Sequence, residues 1–428
     1  MKKLTALLLA LVMVLAIGST AMASGIPENG VQDNSSSASA TKITFNIYKE
    51  IKFYNAETSS VYEPAVTYTY QLAPATETVI NNAQIKDKDG VVAGVKPGVA
   101  DGAKLNTASV AFAADVMVES VTSEGKSVKK PIEIEVDPSK FSQPGVYRYV
   151  IEETDPIDLD AKGVVTATDT NANIRYLDVY IQRNNTTNAM EVYGYVLFKS
   201  TVDKTLDASD KNPATADLDE KTDGFTDDDD TKDDANVDTY TTYNLEVKKT
   251  ITGAMGDTSH EFPFTINLTG SVEGAKFTVD EIPTTVGNGG AIEVTKGLAN
   301  NDTVKIVGVP QSVGATLAGT VKEENDTQDV YTPSIVTADT KGFYNQALSL
   351  TGSAEKFENG VTETVSFNLN NAKSDAETEL SHITINNDLP AISPTGVVLR
   401  VAPYAIMLGA GVALFIVLKL RKNKAAEA

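Results

Sequence analysis

The chain has 428 residues, a net charge of -22, no cysteine, no tryptophan and two histidines. These numbers exclude disulfide and thiolate chemistry and argue against nucleic acid or anionic lipid as a partner. The chain opens with Met1, Lys2 and Lys3, an apolar run from Leu4 to Ile17, and Ala21-Met22-Ala23 before Ser24. A basic start, a short apolar stretch and an A-x-A site predict a secretory signal peptide over 1–23. Residues 24–40, rich in Ser, Asn and Ala, are expected to form a flexible leader. From Ile43 onward Val, Ile, Thr, Tyr and Phe alternate with polar residues, as at Val66 to Tyr70, Val146 to Ile151, Ile174 to Ile181 and Val192 to Phe198. Short alternating runs with turn residues between them and no long amphipathic helix predict an all-β protein of tandem sandwiches. Residues 206–238 are dominated by aspartate, including Asp227 to Asp230, and read as an acidic loop or linker. Asp217, Asp219 and Asp223-Gly224 do not have the spacing of an EF-hand loop.

The C-terminus carries a second apolar run from Val401 to Leu418, closed by Lys419, Arg421, Lys422 and Lys424. Its length suits a membrane span with the basic cluster left in the cytoplasm. Ile392, Ser393, Pro394, Thr395 and Gly396 stand just upstream. A Pro-Thr-Gly pentapeptide, an apolar span and a basic tail together resemble a sortase sorting signal. Pro394 would hold the motif extended, and cleavage would fall after Thr395. Ser393 stands where the commoner motif has proline, a variant that points to a dedicated pilus sortase.

Two halves repeat one pattern. Each opens with a lysine-bearing strand: Ile47-Tyr48-Lys49-Glu50-Ile51, then Leu245-Glu246-Val247-Lys248-Lys249. Each continues to a strand ending in glutamate, Glu153 after Ile151 and Glu323 after Val321. Period-2 spacing puts each glutamate on the face of its apolar neighbour, and Asn387 on the face of Ile383 and Ile385. A lysine, a glutamate and an asparagine inside a sandwich are costly if unpaired. Burial lowers the amine pKa and raises that of the acid. The amine can then attack the asparagine carbonyl while the glutamate shuttles protons.

These stretches, with Gly253, Gly256-Asp257, Glu261-Phe262 and Phe264, resemble streptococcal-type backbone pilins built from two CnaB-type immunoglobulin-like domains. The resemblance implies a sandwich over 41–238, a second over 239–388, and a sorting signal with transmembrane helix over 389–428. It implies an isopeptide triad of Lys249, Glu323 and Asn387, with Lys49 and Glu153 as lysine and acid of the first domain. Asp227, in Phe225-Thr226-Asp227, is the expected first-domain acceptor, with Asn236 as its rival. The intersubunit amine is expected at Lys221, with Lys199 and Lys211 as competitors. No cofactor, no metal and no enzymatic turnover are expected, since the two glutamates act once, during maturation. The implied partners are a pilus-specific sortase, further copies of the chain, minor pilins and host surface ligands. The alternative is a monomeric wall-anchored adhesin.

Overall fold

The computed structural model describes residues 38–391 apart from 56–57, 81–83, 88–89, 157, 170–171, 200–220, 228–233, 325–330, 336–347, 351–362 and 370–381. It also describes 24–25, 31–33 and scattered positions between Met407 and Ile416. The signal-peptide run and Ile392 to Gly396 lie outside the described residues. The described positions of 407–416 are helical. Among the described residues, no helix is long and apolar enough to cross a membrane.

The chain is all-β, and its long strands show why. In β1 (Ile43–Asn55), Phe45, Ile47, Lys49, Ile51 and Phe53 are buried at alternate positions, and Glu50, Tyr54 and Asn55 are buried as well. The same period-2 pattern holds in β2 (Val66–Pro74) and in the second half of β3 (Lys126–Val136), while β4 (Gly145–Thr154), β5 (Ile174–Arg183) and β6 (Met190–Phe198) each bury a run of consecutive residues. β1 pairs with β3 in one layer. β6, β5, β4 and β2 run in that order in the facing layer. Between them lies one core that includes Phe45, Ile47, Tyr68, Tyr149, Ile151, Leu177 and Leu197. Val31–Asp33, within the expected leader, pairs with β6.

β7 (Asp238–Thr252) belongs to both halves. Its first residues pair in parallel with β1, Asp238 opposite Ile51. Its later residues pair with β10 (Thr303–Pro310) and, in parallel, with β13 (His382–Asp388). Facing this second half are β9 (Ile292–Leu298), β8 (Phe262–Thr269), β11 (Leu317–Glu323) and β12 (Glu363–Leu369), in that order. The second core gathers Leu245, Val247, Phe262, Phe264, Ile306, Val321, Ile383 and Ile385. Along β7 the buried residues include Asp238, Tyr240 and Thr242 at even positions, then Leu245, Val247, Lys249 and Ile251 at odd ones, with Thr239 and Asn244 buried as well. The change of phase coincides with a register shift between Tyr243 and Leu245. A bulge inserts one residue and turns the strand over, so the strand presents even positions to one core and odd positions to the next.

Part of the acidic segment is built into the first sandwich. Gly224–Phe225 pairs in parallel with Tyr48 and Lys49. Thr222, Asp223, Phe225 and Thr226 are buried. Gly224 runs so close to β1 that a Cβ would lie 2.1 Å from the Tyr48 carbonyl oxygen.

Candidate functional site

Each sandwich buries one lysine against carboxyl or carboxamide groups. In the second, β7 supplies Lys249, β11 supplies Glu323 and β13 supplies Asn387. All three lie on the inward face of their strands and are 0%, 2% and 0% exposed. Lys249 Nζ lies 3.2 and 3.1 Å from Glu323 Oε1 and Oε2. Asn387 Nδ2 donates to the same Oε1 at 2.5 Å. Asn387 Oδ1 is buried without a hydrogen-bond partner among the described residues, a cost of about 1–3 kcal/mol for a carbonyl out of water. The ammonium also lies 4.3 Å from the Phe262 ring centroid. Burial pulls the Lys249 pKa down to about 8, against the opposing pull of Glu323. The amine is therefore accessible in its neutral, nucleophilic form near neutral pH.

In the first sandwich, Lys49 Nζ lies 2.7 Å from Glu153 Oε1 and 3.0 Å from Asp238 Oδ2. Tyr70 donates to Glu153 Oε2 at 2.7 Å, and Tyr68 donates to Asp238 Oδ2 at 2.5 Å. The Ala167 amide donates to Asp238 Oδ1 at 2.9 Å. Lys49 is pulled down by burial, yet its two carboxylates together outweigh that and hold its pKa above the usual value. Burial pushes Glu153 up. One lysine thus faces one acid and a carboxamide, while the other faces two acids.

Asp227, the expected first-domain acceptor, is directed to Lys52 and Glu50. Its carboxylate lies 3.5 Å from Lys52, and its amide donates to Glu50. Asp238 takes the place opposite Lys49. The physical reason is that the first sandwich does not close at Phe225-Thr226-Asp227. That piece pairs with β1 for two residues only, and the closing strand is the start of β7. Asn236 lies in a short 3-10 turn and lines the same cavity as Lys49, Glu153 and Asp238. Sequence reasoning missed Asp238 because it ends the acidic run and reads as part of it. Its signal was the alternation Asp238, Tyr240, Thr242. Lys221 is half-buried and bridges to Phe198, and Lys199 is also half-buried. Lys211 lies outside the described residues. Of the aspartates considered for calcium, Asp217 and Asp219 also lie outside. Asp223 is buried and held by Lys129 at 3.0 Å and by Thr226.

Glu153, Asp155 and Asp238 offer oxygens within 4.8 Å of one another. Two of the three already pair with Lys49, so a cation there would face an ammonium, and the set does not suit a metal.

The fold and the two clusters define a class: tandem β-sandwiches that share a strand, each with a lysine buried beside an acid and an acyl-bearing side chain. Residues 243–367 match a family described as a domain of unknown function (DUF7601). No curated protein matches the chain. Among solved structures, it is similar to a major pilin protein from Streptococcus pyogenes at 17% identity and a TM-score of 0.33, covering 84% of this chain and 99% of that one. It is also similar to a shaft pilin from Lactobacillus rhamnosus GG at 11% identity and a TM-score of 0.21, covering 81% of this chain and 100% of that one. A pilus-presented adhesin matches at 17% identity and a TM-score of 0.22, over 51% of this chain and 37% of its own.

Proposed function

We propose that this chain is the backbone subunit of a sortase-assembled surface pilus, in which each sandwich is closed by an intramolecular isopeptide bond. The carrying observation is the convergence of Lys249 Nζ and Asn387 Nδ2 on Glu323 Oε1 in a buried core. The amine attacks Asn387 Cγ. Glu323 takes a proton from the attacking nitrogen and passes it to Nδ2, which it already touches, and ammonia leaves. In the first sandwich Lys49 joins Asp238, Glu153 is the shuttle, and water leaves. The bonds tie β1 to β7 and β7 to β13, so the shared strand lies between two covalent links. Such a chain suits a shaft that carries tension. The export signal, the motif Ile392 to Gly396 and the basic tail supply the route to the cell surface and the acyl end at Thr395. Lys221, between the buried Thr222–Thr226 piece and the acidic segment, supplies the amine of the next subunit. Neither glutamate turns over, so the chain is a structural protein and not an enzyme.

The test is intact mass and peptide mapping of residues 24–391. Two condensations remove about 17 Da as ammonia and about 18 Da as water, and proteolysis should yield branched peptides joining Lys249 to Asn387 and Lys49 to Asp238. An unmodified mass refutes the reading. Cell-wall extracts should show a ladder of covalent multimers on denaturing gels. A single anchored band supports the monomeric adhesin instead.

A further inference from the structure

Asp238 is a poorer acyl group than Asn387, because a carboxylate resists a nucleophile and its leaving oxygen needs two protons. The first sandwich surrounds it accordingly. Its two oxygens have different partners: Oδ2 faces Lys49 at 3.0 Å and the Tyr68 hydroxyl at 2.5 Å, and Oδ1 faces the Ala167 amide at 2.9 Å. Asn387 is held through Nδ2 by Glu323, and its Oδ1 has no partner among the described residues. Resting on the condensation of Lys49 with Asp238 set out above, we propose that Tyr68 is a catalytic residue of that bond. Its hydroxyl holds Oδ2, the oxygen that leaves as water, while the Ala167 amide holds Oδ1, the oxygen that remains in the amide.

The placement is built, not incidental. Tyr68 is 0% exposed on the inward face of β2, and its ring centroid lies 4.1 Å from Lys49 Nζ. One side chain therefore touches both reacting groups. The Ala167 amide is fixed because Val164–Val165 pairs with β7 and the Thr168 and Asp169 amides donate to the Ala235 carbonyl. Burial, then the neighbouring Asp238 charge, push the Tyr68 pKa well up, so the hydroxyl donates a hydrogen bond and keeps its proton.

The step balances. The Lys49 ammonium passes one proton to Oδ2, leaving a neutral amine and a carboxylic acid. The amine attacks Cγ, the C–N bond forms, and the carbonyl electron pair moves to Oδ1 against the Ala167 N–H. Glu153, 2.7 Å from Nζ, takes the surplus proton and returns it to the Oδ2 hydroxyl. The C–Oδ2 bond breaks and the Oδ1 pair restores the carbonyl. One ammonium and one carboxylate become one amide and one water. A cavity of about 110 Å³, lined by Lys49, Glu153 and Asp238 and by the exposed Asp155 and Asp169, gives the water a way out.

The experiment is cell-free synthesis of residues 24–391 followed over time by quenched intact mass, with the second domain's ammonia loss as internal clock. In Tyr68→Phe, which keeps the ring over Lys49, the water loss should slow by roughly 10- to 100-fold, the range of a lost donor at a reacting oxygen. The ammonia loss should keep its rate. Thermal melts of Glu153→Gln with and without Tyr68→Phe measure the purely structural cost of the lost hydrogen bond to Asp238, separately from the rate. Should Tyr68→Phe fail to fold, site-specific replacement of Tyr68 by a fluorotyrosine, a stronger donor of nearly the same shape, should speed the loss. Water loss at the parent rate in a folded Tyr68→Phe overturns the proposal, as does an unchanged rate with the fluorotyrosine. A parent that never loses water and yields no Lys49–Asp238 peptide overturns instead the reading beneath it.

Discussion

Replacing Asn387 by alanine removes the acceptor of the second bond while leaving Lys249 paired with Glu323. The parent bond would close a loop of about 140 residues, worth about 5 kcal/mol in the chain-entropy treatment. Two smaller effects partly cancel. The hydrogen bond from Nδ2 to Glu323 is lost, and the partnerless Oδ1 carbonyl disappears with it. For a sandwich of this size, 5 kcal/mol corresponds to a fall in Tm of roughly 10–20 °C. The assay is differential scanning calorimetry of residues 24–391, beside intact mass and a trypsin time course. Asn387→Ala should lack the ammonia loss, melt earlier and admit trypsin to the second sandwich. Asn387→Asp is the companion, because an aspartate can still condense with Lys249. It should recover most of the Tm, with water lost in place of ammonia, and do so slowly, since among the described residues no counterpart of Tyr68 holds its oxygen. A Tm for Asn387→Ala within about 3 °C of the parent would refute the loop-closure argument, since that shift corresponds to only about 1 kcal/mol.

In that same unlinked variant Lys249 becomes a titrating group. Its folded pKa is lowered to about 8 against an ordinary 10.5, so between these values the unfolded chain binds a proton that the folded chain does not. Stability should therefore rise with pH from about 8 to about 10.5, and denaturant midpoints should show a rise that vanishes in Lys249→Met/Asn387→Ala. Asp238→Ala should abolish the water loss in the first sandwich, while Asp227→Ala should leave it intact; the reverse pattern in intact mass would return the acceptor role to Asp227. Lys221→Arg keeps the charge and removes the nucleophile. In cells it should collapse the multimer ladder while both internal bonds persist, and a surviving ladder would hand the role to another lysine.

Period-2 alternation is a local property, and it made the inward-facing lysines and glutamates legible from the chain alone. Lys49 shares a face with Ile47 and Ile51, Glu153 with Ile151, Glu323 with Val321, and Asn387 with Ile385. Composition likewise excluded thiolate chemistry. What alternation cannot supply is which strands become neighbours across a layer, and there Asp238 was lost. It reads as the last residue of the acidic segment, whereas it opens the strand that both halves share and pairs there with β1. The bulge near Tyr243 and Leu245 breaks the phase that would have linked Asp238 to Lys249 in one count. The roles of Tyr68 and Ala167 were equally out of reach. A tyrosine on an inward face reads as core, and a backbone amide has no side-chain signature. Only the packing of β2 and the 164–169 segment against β7 brings a hydroxyl and an amide to the two oxygens of one carboxylate.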